Sequence, residues 1–244
     1  LSQFTTAPNQ GGGGGMGGIL LQAAGGDAAG EHRLGDLRRK GNGSAYYYDC
    51  RELLRWFDPD LRWNYLFGDV RDIPERPTIV KSRNLVDNNG NAVLLKLNKI
   101  RHYVYLHDTI PFLEKEDRVI YRGQIGTRLN RQRFVEMWGD NPRVDAANTL
   151  AKGGVLSTNV DGKPIVPRMS LYDHLRYRYI MCLEGNDVAS NLKWIFSSNS
   201  LAVMPRSEFE TWFEEGRLLP SVHYIEVRSE FADLAEKISH YAAR

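Results

Sequence analysis

The stretch that decides the fold class is YIMCLEGNDVASNLKWIFSSNSLAVMP, residues 179–205. An apolar run over 179–185 predicts a strand that ends in Glu-Gly. The polar residues that follow open a predicted helix over 186–199, with Asp187 as its N-cap. A second apolar run over 200–205 predicts a strand that the proline stops. Strand, helix and strand at this spacing are typical of an α/β fold with a mostly parallel sheet.

The rest of the chain continues this alternation. Helices are predicted over 44–57, 128–139, 170–177, 207–216 and, as a terminal amphipathic helix, 229–244. Strands are predicted over 64–69, 78–82, 92–97, 102–108, 118–123 and 221–227. We expect a flexible, glycine-rich arm over 1–43, an N-terminal α/β lobe over 44–115 and a C-terminal α/β lobe over 116–244.

Composition excludes several classes of protein. The 244 residues are 42% hydrophobic and 25% charged, as in an ordinary soluble globular protein. The near balance of 32 basic and 30 acidic residues argues against a dedicated nucleic-acid binder. The apolar runs are too short to span a bilayer, and two cysteines give no disulfide framework. The chain lacks a GxSxG elbow, a P-loop, a CxxC motif and metal-binding histidine spacing.

Two predicted strand-to-helix corners, at 121–128 and 185–193, are candidate anion sites. A helix N-terminus offers free N–H groups and partial positive charge, which attract an anion. Each corner also has an ordinary structural interpretation. The corner at 185–193 could be a capped crossover with Lys193 in solvent. At 121–128, Arg122 could pair with a carboxylate of its own lobe. The candidate donor-binding residues are Arg122, Gly123, Thr127, Gly185, Asn186, Ser190, Asn191 and Lys193.

Two aspartates are candidate general bases. Asp69 directly follows a predicted strand, and Asp72 follows three residues later. A carboxylate at a strand end can accept a proton from a substrate hydroxyl, although an aspartate after glycine is also an ordinary turn residue. Four further residues are candidates for the acceptor side of a cleft: Arg83, Arg101, His102 and His223.

Four blocks of the sequence together resemble glycosyltransferase family 90, in its bacterial lipopolysaccharide-modifying branch. They are FGDVRDIPERPTIVKSR at 67–83, LLKLNKIRHY at 94–103, VIYRGQIGTRLNRQRF at 119–134 and the run from 176 to 238. The resemblance implies a GT-B-like fold of two Rossmann-like lobes. It also implies an inverting, metal-independent transfer of glucose or xylose from a UDP-sugar, with no cofactor besides this co-substrate.

The resemblance further implies an acceptor, a base and a location. The acceptor would be a glycan or lipid-linked glycan, and the protein would be cytoplasmic, with peripheral association at the inner face of the membrane as an option. VRDIP matches the family's Arg-Asp-Tyr-Pro-like context at Asp72, whereas FGD matches the strand end at Asp69, which we favour. The alternative function is a catalytically inactive binding or assembly protein with a nucleotide-sugar fold.

Overall fold

The computed structural model describes residues 31–39, 44–149 and 165–242, which fall into two compact units. The described part of unit 1 comprises 31–39, 44–103, 186–188 and 207–217, and that of unit 2 comprises 104–149, 165–185, 189–206 and 218–242. The predicted arm over 1–43 lies outside the described residues except for 31–39. The predicted lobes are contiguous segments, whereas unit 1 also takes in 186–188 and 207–217.

The described residues include thirteen strands and six α-helices. The strands are β1 His32–Arg33, β2 Arg62–Trp63, β3 Tyr65–Leu66, β4 Thr78–Val80, β5 Ser82–Asn84, β6 Ala92–Leu94, β7 Glu116–Gly123, β8 Val144–Thr149, β9 Ile165–Val166, β10 Tyr177–Met181, β11 Leu201–Met204, β12 Phe209–Thr211 and β13 Ile225–Glu226. The helices are α1 Ser44–Leu54, α2 Lys99–His102, α3 Leu129–Trp138, α4 Leu171–His174, α5 Leu192–Ile195 and α6 Leu234–Ala242.

Unit 1 is built on a parallel three-stranded sheet in the order β3-β4-β6. Helix α1 supplies Cys50 and Leu54, one turn apart on one helix face, to the core beside this sheet. Trp63 and Ile79 are buried in the same core. An antiparallel pair, β12 with β5, completes the described strands that position the candidate site.

Unit 2 is built on a six-stranded parallel sheet in the order β13-β11-β10-β7-β8-β9. Alternate residues of one strand point to opposite faces, and here both faces are buried. Tyr179 and Met181 of β10 belong to one apolar core, whereas Ile180 belongs to the other. This double burial explains why the strands read as continuous apolar runs in the sequence.

The α/β class with parallel sheets, predicted from the sequence, is confirmed. The terminal amphipathic helix is also present, as α6, and it buries Leu234 and Ile238. No helix among the described residues is both long enough and apolar enough to cross a bilayer.

Two predicted helices are wrong because tertiary contacts override local helix signals. Residues 207–216 form β12, a turn and the start of a 3-10 helix. Glu210, three residues after Ser207 as in a helix-capping box, instead pairs with Arg83 of β5. The helix predicted over 186–199 is reduced to α5, Leu192–Ile195, and Asp187 is buried in an ion pair rather than capping it.

Two predicted strands also need correction. The sequence predicts a strand over 102–108, but residues 103–110 form neither helix nor strand. A side chain here replaces a strand partner as hydrogen-bond acceptor, because Leu106 N donates to Ser197 Oγ over 2.8 Å. The strand predicted over 221–227 is reduced to β13, because a turn precedes it in which His223 N donates to Leu219 O.

Phe134 of α3 is fully buried, and its ring packs edge-on against Tyr121 and Phe231. Phe134→Ala should therefore destabilise the protein by about 3–5 kcal/mol, the cost of a large apolar side chain and its cavity. Leu129 of the same helix is 77% exposed and provides the control. Leu129→Ala should leave the urea midpoint of unfolding nearly unchanged. An equal loss of stability in the two variants would contradict the packing described for Phe134.

Candidate functional site

A buried lysine between two carboxylates lies at the centre of the candidate site in unit 1. Lys81 directly follows β4, and its side chain is only 1% exposed. Its Nζ lies 2.5 Å from Asp69 Oδ1 and 2.6 Å from Asp187 Oδ2. The ammonium group therefore forms direct ion pairs with both carboxylates.

Strand order and two further hydrogen bonds hold this ion triad of Lys81, Asp69 and Asp187. Strands β3 and β4 are parallel, so the residues after them, including Asp69 and Lys81, reach the same edge of the sheet. Ser82 Oγ donates to Asp187 Oδ2 over 2.5 Å, and Asn186 Nδ2 donates to Asp69 Oδ2 over 2.8 Å. Both carboxylate oxygens of Asp69 are thus engaged by hydrogen-bond donors.

The contacts within the triad shift the pKa values of Asp69 and Lys81 away from neutrality. Burial by itself would raise the pKa of Asp69, but the hydrogen bonds from Lys81 and Asn186 and the charges of Lys81 and Arg101 bring it below its ordinary value. Burial by itself would lower the pKa of Lys81, but the two carboxylates raise it above its ordinary value. Both groups are therefore charged at neutral pH, and Asp69 is a weak proton acceptor.

Asp72 lies in a different environment. Its side chain is exposed, and it makes no ion pair or side-chain hydrogen bond with any residue that the structure describes. Hydrogen bonds from two side-chain amides to backbone carbonyl groups hold the loop on both sides of it. Asn84 Nδ2 donates to Arg71 O over 2.9 Å, and Asn91 Nδ2 donates to Pro74 O over 3.0 Å. Asp72 is thus an accessible carboxylate on an anchored loop.

The predicted acceptor-side residues of unit 1 have separate environments. Arg83 is paired with Glu210 over 2.7 Å and also donates to Ala92 O. Arg101 is exposed, and its charge contributes to the lowered pKa of Asp69. His102 is buried at the end of α2. Of these three predicted residues, the structure brings Arg101 into the electrostatic surroundings of the ion triad.

In unit 2, Arg122 is engaged by acceptors on its own sheet. Its guanidinium pairs with the Asp145 carboxylate and donates to Asp145 O over 2.6 Å. Tyr177 Oη also donates to this carboxylate, over 2.9 Å. Burial would raise the pKa of Asp145, but the bonds from Arg122 and Tyr177 lower it. The structure therefore matches the alternative in which Arg122 pairs with a carboxylate of its own lobe.

Arg131, which the sequence analysis did not single out, organises the loops at the carboxyl ends of β7 and β10. It donates to Gln124 O over 2.8 Å, to Leu183 O over 3.0 Å and to Glu184 O over 3.2 Å. A Cβ at Gly185 would lie 2.9 Å from Arg131 Nη2, so glycine permits this close approach. Nothing in RLNRQRF distinguishes this arginine from its neighbours.

The two helix starts expected to form anion sites differ from the sequence prediction in length and capping. Helix α5 has four residues, and Asn191 uses its Nδ2 to donate to Met181 O rather than to a ligand. Lys193 is buried, and Ser190 is half-buried in the preceding turn. Thr127 is exposed and does not cap α3, which begins after Arg128 without a side-chain cap.

The remaining predicted residues of unit 2 lie in loops and turns. Gly123 ends β7, where an added Cβ would collide with Tyr121 Oη at 2.6 Å. His223 is exposed in the turn before β13, and its Nδ1 accepts from Leu219 N over 2.8 Å. Among the residues that the structure describes, no three His, Cys, Asp or Glu side chains form a group that could hold a metal ion.

Comparison with known proteins gives matches over most of the chain. The model of glycosyl transferase family 90 matches residues 93–244. The O-glucosyltransferase LpsA of Dichelobacter nodosus is 46% identical over 196 residues, which cover 80% of this chain and 59% of that protein. Protein O-glucosyltransferase 2 of Danio rerio is 34% identical over 174 residues, which cover 70% of this chain and 33% of that protein.

A more distant relative extends the comparison. Protein O-glucosyltransferase 1 of Rattus norvegicus is 28% identical over 134 residues, which cover 54% of this chain and 34% of that protein. The chain thus spans less than two thirds of the length of each of these relatives. The family model begins at Val93 in β6, so Asp69, Asp72 and Lys81 precede the range that it matches.

The lowered pKa of Asp69 predicts a pH-dependent contribution to stability. A carboxylate whose pKa is lower in the folded than in the unfolded protein stabilises the fold above its unfolded pKa, and this is lost as the pH falls through the folded pKa. At pH 7, Asp69→Asn should cost about 1.5–3 kcal/mol, as expected for hydrogen bonds to a charged group. The difference in free energy of unfolding between Asp69→Asn and the wild type should shrink below about pH 4, where the unfolded carboxyl group becomes protonated.

Urea unfolding of both proteins at pH 7, 4 and 3 measures this difference. Asp72→Asn is the matched control, because Asp72 is exposed and three residues away. It should leave stability nearly unchanged at every pH. A difference between Asp69→Asn and wild type that stays constant from pH 7 to pH 3 would contradict the assigned ion triad.

Proposed function

Because the chain belongs to glycosyl transferase family 90, we propose that it transfers a sugar from a UDP-sugar to a hydroxyl group of a surface glycan such as the lipopolysaccharide core. The observation that carries this proposal is the 46% identity to an O-glucosyltransferase over 80% of the chain. Glucose is the donor sugar that the relatives' names favour, with xylose as the second candidate. A GT-B-like arrangement of two Rossmann-like lobes and a cytoplasmic location belong to the same proposal.

The proposed reaction is a single displacement with inversion. The acceptor hydroxyl oxygen forms a bond to the anomeric carbon of the sugar while a carboxylate takes its proton. The bond from the anomeric carbon to the diphosphate oxygen breaks, and UDP leaves with that electron pair. Such a step needs a base beside the acceptor and preorganised donors beside the leaving group, here proposed to be protein groups without a metal ion.

The environments of the two aspartates favour Asp72 as the base, which reverses the preference drawn from sequence. Both oxygens of Asp69 accept hydrogen bonds, from Lys81 and Asn186, and its pKa is lowered. Taking a proton there would break the contact with a buried ammonium group. Asp72 is exposed on a loop anchored at Arg71 and Pro74, so a substrate hydroxyl can reach its carboxylate.

The donor is proposed to bind in unit 2, at the carboxyl ends of its parallel strands, where ligands of open α/β sheets are usually found. Arg131 fixes the loops that follow β7 and β10 there, and it lies against Gly185. The backbone around Gly123 and Gly185 is proposed to approach the diphosphate. Arg122 and Lys193 then support this site from within the unit rather than contact the phosphates.

Asp72→Asn should lower the turnover of UDP-glucose in the presence of acceptor by roughly 10²–10⁴-fold, because it removes the general base. UDP binding should be retained, since the substitution leaves the donor site intact. Asp87→Asn changes another exposed aspartate of unit 1 and should keep the wild-type rate. Wild-type turnover by Asp72→Asn would overturn the assignment of the base.

Two further measurements test the reaction class separately. Calorimetric titration with UDP should give binding, and the absence of any heat of binding at millimolar UDP would overturn the donor class. Proton NMR of the first product formed from UDP-α-glucose should show a β-linked sugar. An α-linked product would contradict inversion while leaving the donor assignment in place.

A further inference from the structure

Unit 1 carries an open groove between the 3-10 turn Leu34–Asp36 and helix α1. Its volume is about 380 Å³, within the range of roughly 300–1,000 Å³ found for small-molecule sites. Leu34, Leu54 and Phe57 supply apolar surface, and Arg38, Arg51 and Arg55 line the same groove. We call this groove, after its three arginines, the arginine groove.

The arginine groove holds positive charge without a lining carboxylate. None of the described residues that line it is acidic. The hydrogen bonds of Arg38 go to the carbonyl groups of Gly35 and Leu37, and Arg51 donates to Tyr47 Oη over 3.4 Å. These acceptors are neutral, so they do not offset the guanidinium charges of Arg38 and Arg51.

Acidic residues also lie in the neighbouring segments, but none of them lines the groove. Glu52 of α1 pairs with Lys99, and its charge also interacts with that of Arg55. Asp60 pairs with Arg33 over 3.0 Å. Asp36 is exposed in the adjoining 3-10 turn but does not line the groove. An anion in the arginine groove would therefore gain the attraction of three guanidinium groups.

An exposed tryptophan, Trp56, lies beside this charge. Its side chain is 76% exposed, and its ring centroid lies 4.7 Å from Arg55 Cζ. Tyr48 on α1 is also exposed. Tryptophan and tyrosine concentrate at the headgroup level of bilayers, and basic clusters bind anionic lipid surfaces. A soluble phosphate ester would account for the arginines but would give no role to the exposed indole.

We propose that the arginine groove binds the phosphate headgroups of an anionic membrane surface, with Trp56 inserted at the headgroup level. The contacts that carry this proposal lie within unit 1 and do not depend on the proposed sugar transfer. The site gives the protein a peripheral attachment that requires no membrane-spanning helix. Because the attraction is electrostatic, added salt should weaken it.

Intrinsic fluorescence tests this inference directly. Three of the five tryptophans, Trp63, Trp138 and Trp194, are buried, so a change on membrane binding should come mainly from Trp56. Vesicles containing phosphatidylglycerol should shift the emission to the blue, whereas pure phosphatidylcholine vesicles should not. Trp56→Phe should remove most of the shift, and a shift that persists unchanged in this variant would contradict insertion of Trp56.

Vesicle sedimentation measures the role of the arginines. Arg38→Ala/Arg51→Ala leaves the contact of Arg55 with Trp56 in place and should weaken binding roughly 30-fold, at about fivefold for each arginine near an anionic surface. Arg133→Ala/Arg228→Ala removes the same charge from two exposed positions of unit 2 and should change binding little. Folding of each variant is verified by its urea midpoint.

Three results would overturn the proposal. The first is equal binding to anionic and neutral vesicles, and the second is equal weakening by the two arginine pairs. The third is calorimetric binding of inorganic phosphate without any binding to anionic vesicles, which would identify a site for soluble phosphate esters instead.

Discussion

The buried ammonium group of Lys81 is the constraint on which the rest of unit 1 depends. A lysine that is 1% exposed is tolerated only if its charge is balanced, because transferring an unpaired ammonium group out of water is very costly. Asp69 and Asp187 provide that balance, and Asp187 lies 105 positions after Ser82, whose hydroxyl also donates to it. The need to pair Lys81 thus accounts for the presence of residues 186–188 in unit 1.

The same constraint separates the chemical roles of two neighbouring aspartates. Asp69 keeps Lys81 paired and is held as a carboxylate by that contact, whereas Asp72 remains exposed. Both aspartates are candidate bases in the sequence, but in the structure only Asp69 is committed to a buried cation. The proposed assignment of Asp72 as the base follows from this difference in surroundings.

Sequence patterns predict the strands that are apolar on both faces, but they miss β8 and β9 and predict the polar connections poorly. Strands such as β7 and β10 are apolar on both faces, so their burial is visible in the sequence itself. Asp187 and Glu210 carry helix-capping signals, but tertiary partners far away in the chain, Lys81 and Arg83, take these carboxylates instead. Sequence analysis singled out Asp69 and Asp72 as candidate bases, but it assigned Asn186 to the donor site, whereas in the structure Asn186 donates to Asp69. It missed Lys81 because TIVKS reads as an ordinary strand end.

A double-mutant cycle on Lys81 and Asp187 measures most directly whether this buried pair holds residues 186–188 against the strand ends. Urea unfolding is measured at pH 7 for the wild type, Lys81→Met, Asp187→Asn and the double variant. Breaking a buried pair typically costs about 3–5 kcal/mol, so each single change should be strongly destabilising. The double variant should be more stable than additivity predicts by about 1–3 kcal/mol, the size expected for groups in contact. Losses that add to within about 0.5 kcal/mol would show that the two groups are independent and would contradict the account.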